Sequence, residues 1–163
     1  MNYATIPAVS LLPLYRWADH SWVGSSIRAS TYIFPVVEIF HLLGLTVLIG
    51  TVIVLTVRLF GWALSSQPVQ EVARGALKWT WMGAVVTIVS GVLLFSSEAL
   101  KCYASPPFTV KMILLLVALV LTYSLHRRLT RSEKPAAGAK FAAGLALALW
   151  FGVGLAGRAI AFF

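Results

Sequence analysis

The apolar residues of this chain fall into four long runs separated by short polar stretches. In the first run, residues 34–60, apolar side chains occupy every face of a helix, so that no side of it suits water. A membrane span needs roughly 20 apolar residues at about 1.5 Å of rise each. The pattern predicts four transmembrane helices at about 34–60, 79–100, 108–126 and 141–160.

A different pattern precedes the first span. Residues 13–28 mix apolar and aromatic side chains with charged and polar ones. The apolar and aromatic side chains include Leu14, Trp17 and Trp22, and the polar ones include Arg16, Asp19 and His20. This mixture is typical of a helix lying in the membrane interface. The expected fold is an all-α integral membrane protein, a four-transmembrane-helix bundle with an N-terminal interfacial amphipathic helix. No shift in composition marks a second domain, so residues 1–163 form one membrane domain.

Composition supports the membrane assignment and narrows the partners. The chain is 60% hydrophobic and 11% charged, with a mean hydropathy of +0.88, too apolar for a small water-soluble domain. The net charge is +8, and the basic residues lie in the connections between spans rather than on a basic stripe interleaved with aromatic residues. We therefore expect the partner to be a lipid bilayer and not a nucleic acid. The single cysteine, Cys102, excludes an internal disulfide.

Charge asymmetry predicts how the four spans are oriented. Eight basic residues fall on one side of them: Arg58, Arg74, Lys78, Arg127, Arg128, Arg131, Lys134 and Lys140. Five fall on the other: Arg16, Arg28, Lys101, Lys111 and Arg158. Cytoplasmic connections carry the excess of Lys and Arg in membrane proteins. We therefore expect the first group in the cytoplasm and both termini on the outer side.

This topology gathers polar residues in the outer half of the bundle. Glu38 and His41 are one helical turn apart where the first span enters. The same depth is predicted for four residues of the other spans: Glu98, Lys111, Met112 and Arg158. His20 of the interfacial helix lies above them. His126 is a membrane thickness away, and beside Arg127 we expect it to be an interfacial or lipid-headgroup residue.

One interpretation of the outer cluster is a transition-metal site for electron transfer or metal handling. The candidate metal ligands are His41, Glu38, Glu98, Met112 and Cys102. Imidazole suits copper, zinc and haem iron, the two sulfur ligands favour Cu(I), and Glu38 can orient His41 or complete the ligand set. For haem b, the axial pair would be His41 with His20 or with Met112. Copper, haem b and no cofactor all stay open.

The alternative interpretation is a buried polar network without a cofactor. In it, Glu38 and Glu98 pair with Arg158 and Lys111, and His41 bonds to a carboxylate or hydroxyl. The chain would then be a structural or assembly subunit, or a transporter component. An enzyme is not specified, because Ser96 and Ser97 have no base and orienting group at a defined spacing.

Small residues in the fourth span suggest assembly. Gly144, Ala148, Gly152 and Ala156 recur every four residues and form a ridge for close helix packing. This ridge can serve within the chain or between chains. We therefore expect a homo-oligomer or a subunit of a larger membrane complex.

Several motifs along the chain resemble a known group of proteins. They are "FPVVEIFHLLGL" and "LFGW" in the first span, "KWTWMG" and "SGVLLF" in the second and "PFTVKMILLL" in the third. The pattern resembles a family of small uncharacterised four-span bacterial inner-membrane proteins and, more distantly, is similar to the copper-resistance-D-like membrane proteins. The resemblance implies a multi-pass protein of the bacterial inner membrane and a connection with copper. Together with the charge asymmetry, that location predicts periplasmic termini.

Overall fold

The computed structural model describes residues 11–131 and 138–160. In these ranges the chain forms seven helices and no strand. They are α1 (Leu12–Asp19), α2 (Trp22–Ala29), α3 (Ile33–Phe60), α4 (Val69–Ser97), α5 (Ala99–Ala104), α6 (Pro106–Arg131) and α7 (Ala139–Ala159). Four of them, α3, α4, α6 and α7, are long and apolar enough to cross a membrane. The predicted fold is confirmed, and the chain is a multi-pass membrane protein in contact with lipid.

The four spans run alternately up and down. Antiparallel neighbours are identified by side chains that meet at matching depths, such as Thr51 of α3 with Thr80 of α4 and Thr122 of α6 with Trp150 of α7. One end of the bundle, where α3 and α6 begin, is called the N-terminal face here. The other end, where α4 and α7 begin, is called the basic face, because the described members of the predicted basic group lie on that side of the spans.

Helix α4 begins at Val69, ten residues before its predicted start at Trp79. The Ser, Gln and Pro residues from Ser65 to Gln70 predicted a loop, and the charged residues after them predicted only a turn or two before the span. In the structure these charged residues occupy one side of a helix. The opposite side carries Val69, Val72, Ala73 and Ala76, all buried at helical spacing against α3 and α6. The helix therefore continues past the apolar run. Likewise, α6 extends to Arg131 rather than ending near His126.

The predicted single interfacial helix is two helices in the structure. The break falls at His20 and Ser21, and the Ser21 side chain accepts a hydrogen bond from the Gly24 N–H at 3.1 Å. That bond caps a new helix. Helices α1 and α2 pack against α4 and α5 at the N-terminal face. Trp17 and Trp22 are 73% and 82% exposed, as expected of side chains that meet the membrane interface.

Arg28 fastens this N-terminal pair of helices to the bundle. Its guanidinium donates to the Asp19 carboxylate at 3.0 Å, to the Asp19 carbonyl at 2.8 Å and to the Ser97 carbonyl at 2.6 Å. Ser97 is the last residue of α4, whose final carbonyls have no partner within the helix. Arg28 thus caps α4 and holds α1 and α2 at the same time.

Helices α3 and α4 make the most extensive contact in the bundle, followed by α6 and α7, whereas α4 and α6 touch over a shorter length. The α3–α4 contact depends on glycine. A Cβ added at Gly83 would lie 2.8 Å from the Gly44 carbonyl oxygen and 2.8 Å from the Leu48 nitrogen. Small residues allow such close approach of two helices in a membrane.

The predicted small-residue ridge of α7 is used unevenly inside the chain. A Cβ added at Gly152 would meet the Leu114 side chain of α6 at 3.3 Å, whereas one at Gly144 would meet nothing within 4 Å. Ala148 is exposed. Part of the ridge therefore packs within the bundle, and part of it is open.

Candidate functional site

His41 lies in the half of the bundle toward the N-terminal face, between α3 and α4. It is eight residues into α3, so its backbone is about 12 Å from the helix start. The side chain is half-buried, and its Nδ1 lies 3.1 Å from the Ser90 hydroxyl oxygen. A Cβ at Gly91 would approach the His41 Cε1 to 3.2 Å, so this glycine leaves room for the ring. The predicted hydroxyl partner is thereby identified as Ser90.

Lys111 is the charged neighbour of His41, contributed by α6. Its side chain runs along α7 at Gly157, where an added Cβ would lie 3.2 Å from Nζ and 3.5 Å from Cε. The two polar side chains thus each rest on a glycine, one in α4 and one in α7. A larger residue at either glycine would displace the polar group from its position.

Cys102 belongs to the same region but lies outside the spans, on α5. It is buried, and burial raises the pKa of its thiol; the Glu98 carboxylate raises this pKa further, while Lys111 and Lys101 lower it. Burial has the largest effect, so the neutral thiol is favoured at pH 7. Free thiols, rather than thiolates, are poor metal ligands and poor nucleophiles.

No carboxylate of the described residues forms an ion pair with Lys111. There are five Asp and Glu residues in all. In the described part of the chain, Asp19 pairs with Arg28, and Glu98 pairs with Lys101 at 3.3 Å. Glu38 is exposed and Glu71 lies on the basic face near the start of α4. The fifth, Glu133, lies outside the described residues.

The pairing predicted for the polar network is therefore wrong in detail. Glu98 contacts Lys101 of α5, one turn along the chain, rather than Lys111 or Arg158. A pair at that spacing forms without bringing two spans together, and thus competes easily with a longer-range partner. Arg158 is exposed, and Glu38 makes no ion pair with any described residue. His41 and Lys111 are what remains of the network in the bundle.

The other predicted ligands do not converge on His41. Met112 follows Lys111 on α6 and is 47% exposed, because consecutive helical residues point about 100° apart. His20 is exposed, with its Nδ1 2.8 Å from the Arg16 carbonyl oxygen. Among residues 11–131 and 138–160, no three His, Cys, Asp or Glu side chains are placed to hold a metal ion together.

The predicted position of His126 in the lipid-headgroup region is wrong. It is only 2% exposed and lies inside the bundle, with its Nε2 3.3 Å from the Thr80 hydroxyl of α4. The run of arginines after it suggested a headgroup position. A helical stripe on α6, formed by Ala118, Thr122, Leu125, His126 and Leu129, could have revealed its burial, since all five are buried.

The two interior histidines are separated by tightly packed apolar structure. Ser90 and Thr80, which bond to them, are ten residues apart on α4, or about 15 Å. Between them lies the close approach of Gly83 to Gly44 and Leu48 described above. The bundle interior therefore offers two separate polar regions, one toward each face, rather than a continuous path.

Comparison with known proteins gives a family and little else. A model of a family of unknown function, DUF6644, matches residues 14–163. This confirms the expectation of an uncharacterised family for nearly the whole chain. No curated protein and no solved structure matches the chain.

Proposed function

We propose that this chain, which belongs to the DUF6644 family of unknown function, is a transporter component that binds a small anion at Lys111 and His41. The site lies toward the N-terminal face. Lys111 supplies the charge. The Ser90 hydroxyl donates to the Val86 carbonyl, so Nδ1 of His41 donates to the Ser90 oxygen, and the free ring nitrogen donates to an anion when the imidazole is protonated. No catalytic step is part of this proposal.

The observation that carries the proposal is an intramembrane lysine without a counter-charge. Lys111 makes no ion pair or hydrogen bond with any described residue. A charge in a span is costly and is usually paired, and such residues mark ion or substrate sites. Because the described Asp and Glu side chains near the N-terminal face are exposed or paired elsewhere, an anion from outside the chain is the partner that this charge favours.

The same charge acts against a metal cation at His41. Two positive charges several ångströms apart repel, and the repulsion is stronger at the low dielectric of a bundle interior than in water. The copper and haem interpretations, and the copper-resistance-D resemblance, make a contrary prediction. They require His41 to hold a cation beside Lys111.

We further propose a location and an assembly for this component. The excess of basic residues on one face supports insertion in the bacterial inner membrane with both termini periplasmic, so that the anion site faces the periplasm. The open part of the α7 ridge at Gly144 and Ala148 supports self-association or docking to a larger membrane complex. The closed interior between Gly44 and Gly83 means that transport needs helix movement or a partner subunit.

Anion-dependent thermal stability of the purified protein tests the proposal. The probes are chloride, nitrate and acetate at constant ionic strength, with the bulky anion isethionate as reference. A ligand present at 100 times its dissociation constant stabilises the folded state by about 2.7 kcal/mol. We expect a rise in the unfolding temperature with at least one small anion. Lys111→Met keeps most of the apolar stem and should abolish the rise.

The matched control is Lys101→Met, which removes an exposed lysine of the same face that already pairs with Glu98. It should keep the anion response. An equal response in wild type and Lys111→Met would refute the proposal. The proposal would also be refuted, in favour of the metal interpretation, if the wild-type protein binds copper or haem and the Lys111→Met variant binds that cofactor as well or better.

A further inference from the structure

A groove between α4 and α6 opens at the basic face, far from Lys111. Its volume is about 350 Å³, and all its lining residues lie in the described part of the chain. Its aromatic wall is formed by Trp81 and Tyr123, whose rings are 6.0 Å apart in an edge-on arrangement. The groove exists because α4 and α6 touch over a shorter length than the other neighbouring helices.

His126 lines this groove and has an unused polar atom. Its Nδ1 is buried and has no hydrogen-bond partner among the described residues. A buried polar atom without a partner is costly, and in native structures it often indicates a missing water, ion or ligand. The groove therefore contains a polar atom that a bound molecule could satisfy.

The hydrogen bonds around Thr80 indicate what that atom requires. The Thr51 hydroxyl donates to the Leu48 carbonyl at 2.7 Å. Thr80 has one proton, and its shorter contacts are to the Thr51 oxygen at 2.9 Å and the Ala76 carbonyl at 3.0 Å.

If Thr80 donates to either of these acceptors, the ring N–H at Nε2 of His126 donates to Thr80. His126 is buried, and an unpaired charge is costly in the bundle interior, so the neutral imidazole is favoured and Nδ1 is an acceptor. A ligand that satisfies it must bring a hydroxyl or another donor.

Two arginines provide the charge at the groove. Arg127 and Arg131 both line it and are both exposed. They are four residues apart on α6, so they project from the same side of the helix. Guanidinium groups bind phosphate oxygens in a bidentate manner, and basic pockets between spans on the basic side are suited to anionic lipid headgroups.

We propose that this groove binds an anionic phospholipid with a hydroxyl-bearing headgroup, such as phosphatidylglycerol. The phosphodiester pairs with Arg127 and Arg131, a headgroup hydroxyl donates to the Nδ1 of His126, and Trp81 and Tyr123 contact the glycerol and upper acyl region. The site is independent of the anion site at Lys111, because the close approach of α3 and α4 at Gly83 lies between them.

Native mass spectrometry of the full chain in detergent, titrated with defined lipids, tests this site. The probes share the same acyl chains: phosphatidylglycerol, phosphatidylmethanol and phosphatidylcholine. Phosphatidylmethanol carries the same phosphodiester charge as phosphatidylglycerol without its hydroxyls. We expect phosphatidylglycerol to bind about fivefold more tightly than phosphatidylmethanol, the factor that one net hydrogen bond gives. Phosphatidylcholine should bind more weakly than both.

Arginine variants separate the groove from general surface charge. The double variant Arg127→Gln/Arg131→Gln should weaken phosphatidylglycerol binding about tenfold or more, since two charge-assisted contacts are lost. Arg128→Gln is the matched control, because Arg128 is an adjacent exposed arginine that does not line this groove. It should change binding by less than about twofold, as expected for a screened surface charge.

Three results would overturn the proposal. Equal binding of phosphatidylglycerol and phosphatidylmethanol would remove the role of the His126 acceptor. Equal losses in the Arg128→Gln variant and the double variant would reduce the site to non-specific charge. Competition by free glycerol 1-phosphate would assign the groove to a soluble phosphate ester rather than to a lipid. Retention of the phosphatidylglycerol preference, with the loss confined to the double variant, supports it.

Discussion

Replacement of Gly83 by alanine tests whether the glycine contact between α3 and α4 holds the bundle together. The added Cβ would lie 2.8 Å from the Gly44 oxygen and 2.8 Å from the Leu48 nitrogen, both of which belong to helical backbone. Ordinary contact begins near 3.4 Å, so the two helices must separate by about 0.6 Å. Flexible side chains cannot absorb this change, because the obstructing atoms are main-chain atoms.

The expected cost of this separation is about 1–3 kcal/mol, the range found when a well-packed core is overfilled by a methyl or methylene group. Alanine also favours helix over glycine by about 0.5–1 kcal/mol, so the net loss is smaller than the packing term alone. Gly83→Ala should therefore unfold at a lower temperature than wild type in the same detergent. Tryptophan fluorescence during heating provides the assay, since six tryptophans report on the chain.

Gly75→Ala is the matched control on the same helix, because a Cβ there meets nothing within 4 Å. It should be neutral or slightly stabilising. The reasoning would be refuted if Gly83→Ala were as stable as Gly75→Ala. Gly44→Ala enlarges the same contact from the other helix, where the new Cβ would lie 2.7 Å from the Thr87 hydroxyl oxygen. Combining it with Gly83→Ala should give a non-additive loss, since the two residues share one interface.

Three other predictions concern the N-terminal face. Arg28→Met should free α1 and α2 from α4 and so speed amide hydrogen exchange in residues 12–29. The control Arg16→Met removes a side chain outside the Arg28–Asp19–Ser97 contacts and should not speed exchange; equal exchange in both variants would contradict the capping role of Arg28. Because burial raises its thiol pKa, Cys102 should react slowly with maleimide at pH 7 and faster as the pH rises through the shifted pKa; reactivity equal to that of a free cysteine at pH 7 would contradict this. In a Cys102→Ser background, an impermeant maleimide applied to intact cells should label Lys101→Cys but not Arg128→Cys, two exposed positions on opposite faces; the reverse would invert the orientation.

The topology of the spans was accessible from the sequence because lipid imposes a simple requirement. A span must satisfy its backbone hydrogen bonds internally and present apolar side chains to the bilayer, so length and hydropathy alone identify it. The start of α3 was predicted to within one residue of Ile33. The start of α4 was missed by ten residues, because Glu71, Arg74 and Lys78 reduce the local hydropathy although Val69, Val72 and Ala76 still form a buried helical face.

The candidate sites depended on tertiary structure to different degrees. The importance of His41 followed from its place in an apolar run, and its depth followed from the topology. Its neighbours did not follow, since Ser90 and Lys111 come from other spans and their positions depend on the rotation of each helix about its axis. Local competition also matters: Glu98 pairs with Lys101 one turn away, which leaves Lys111 without a carboxylate from the described chain.

The sequence by itself determined that this protein crosses the membrane in four helices and that its positive charge is concentrated on one side, because both properties are sums over many residues and tolerate local error. Only the tertiary structure decided which polar side chains meet. His126 follows an apolar run and precedes two arginines, a context equally compatible with the headgroup region and with the interior. Its burial beside Thr80 results from the helical rotation of α6 against α4, which no count of neighbouring residues specifies.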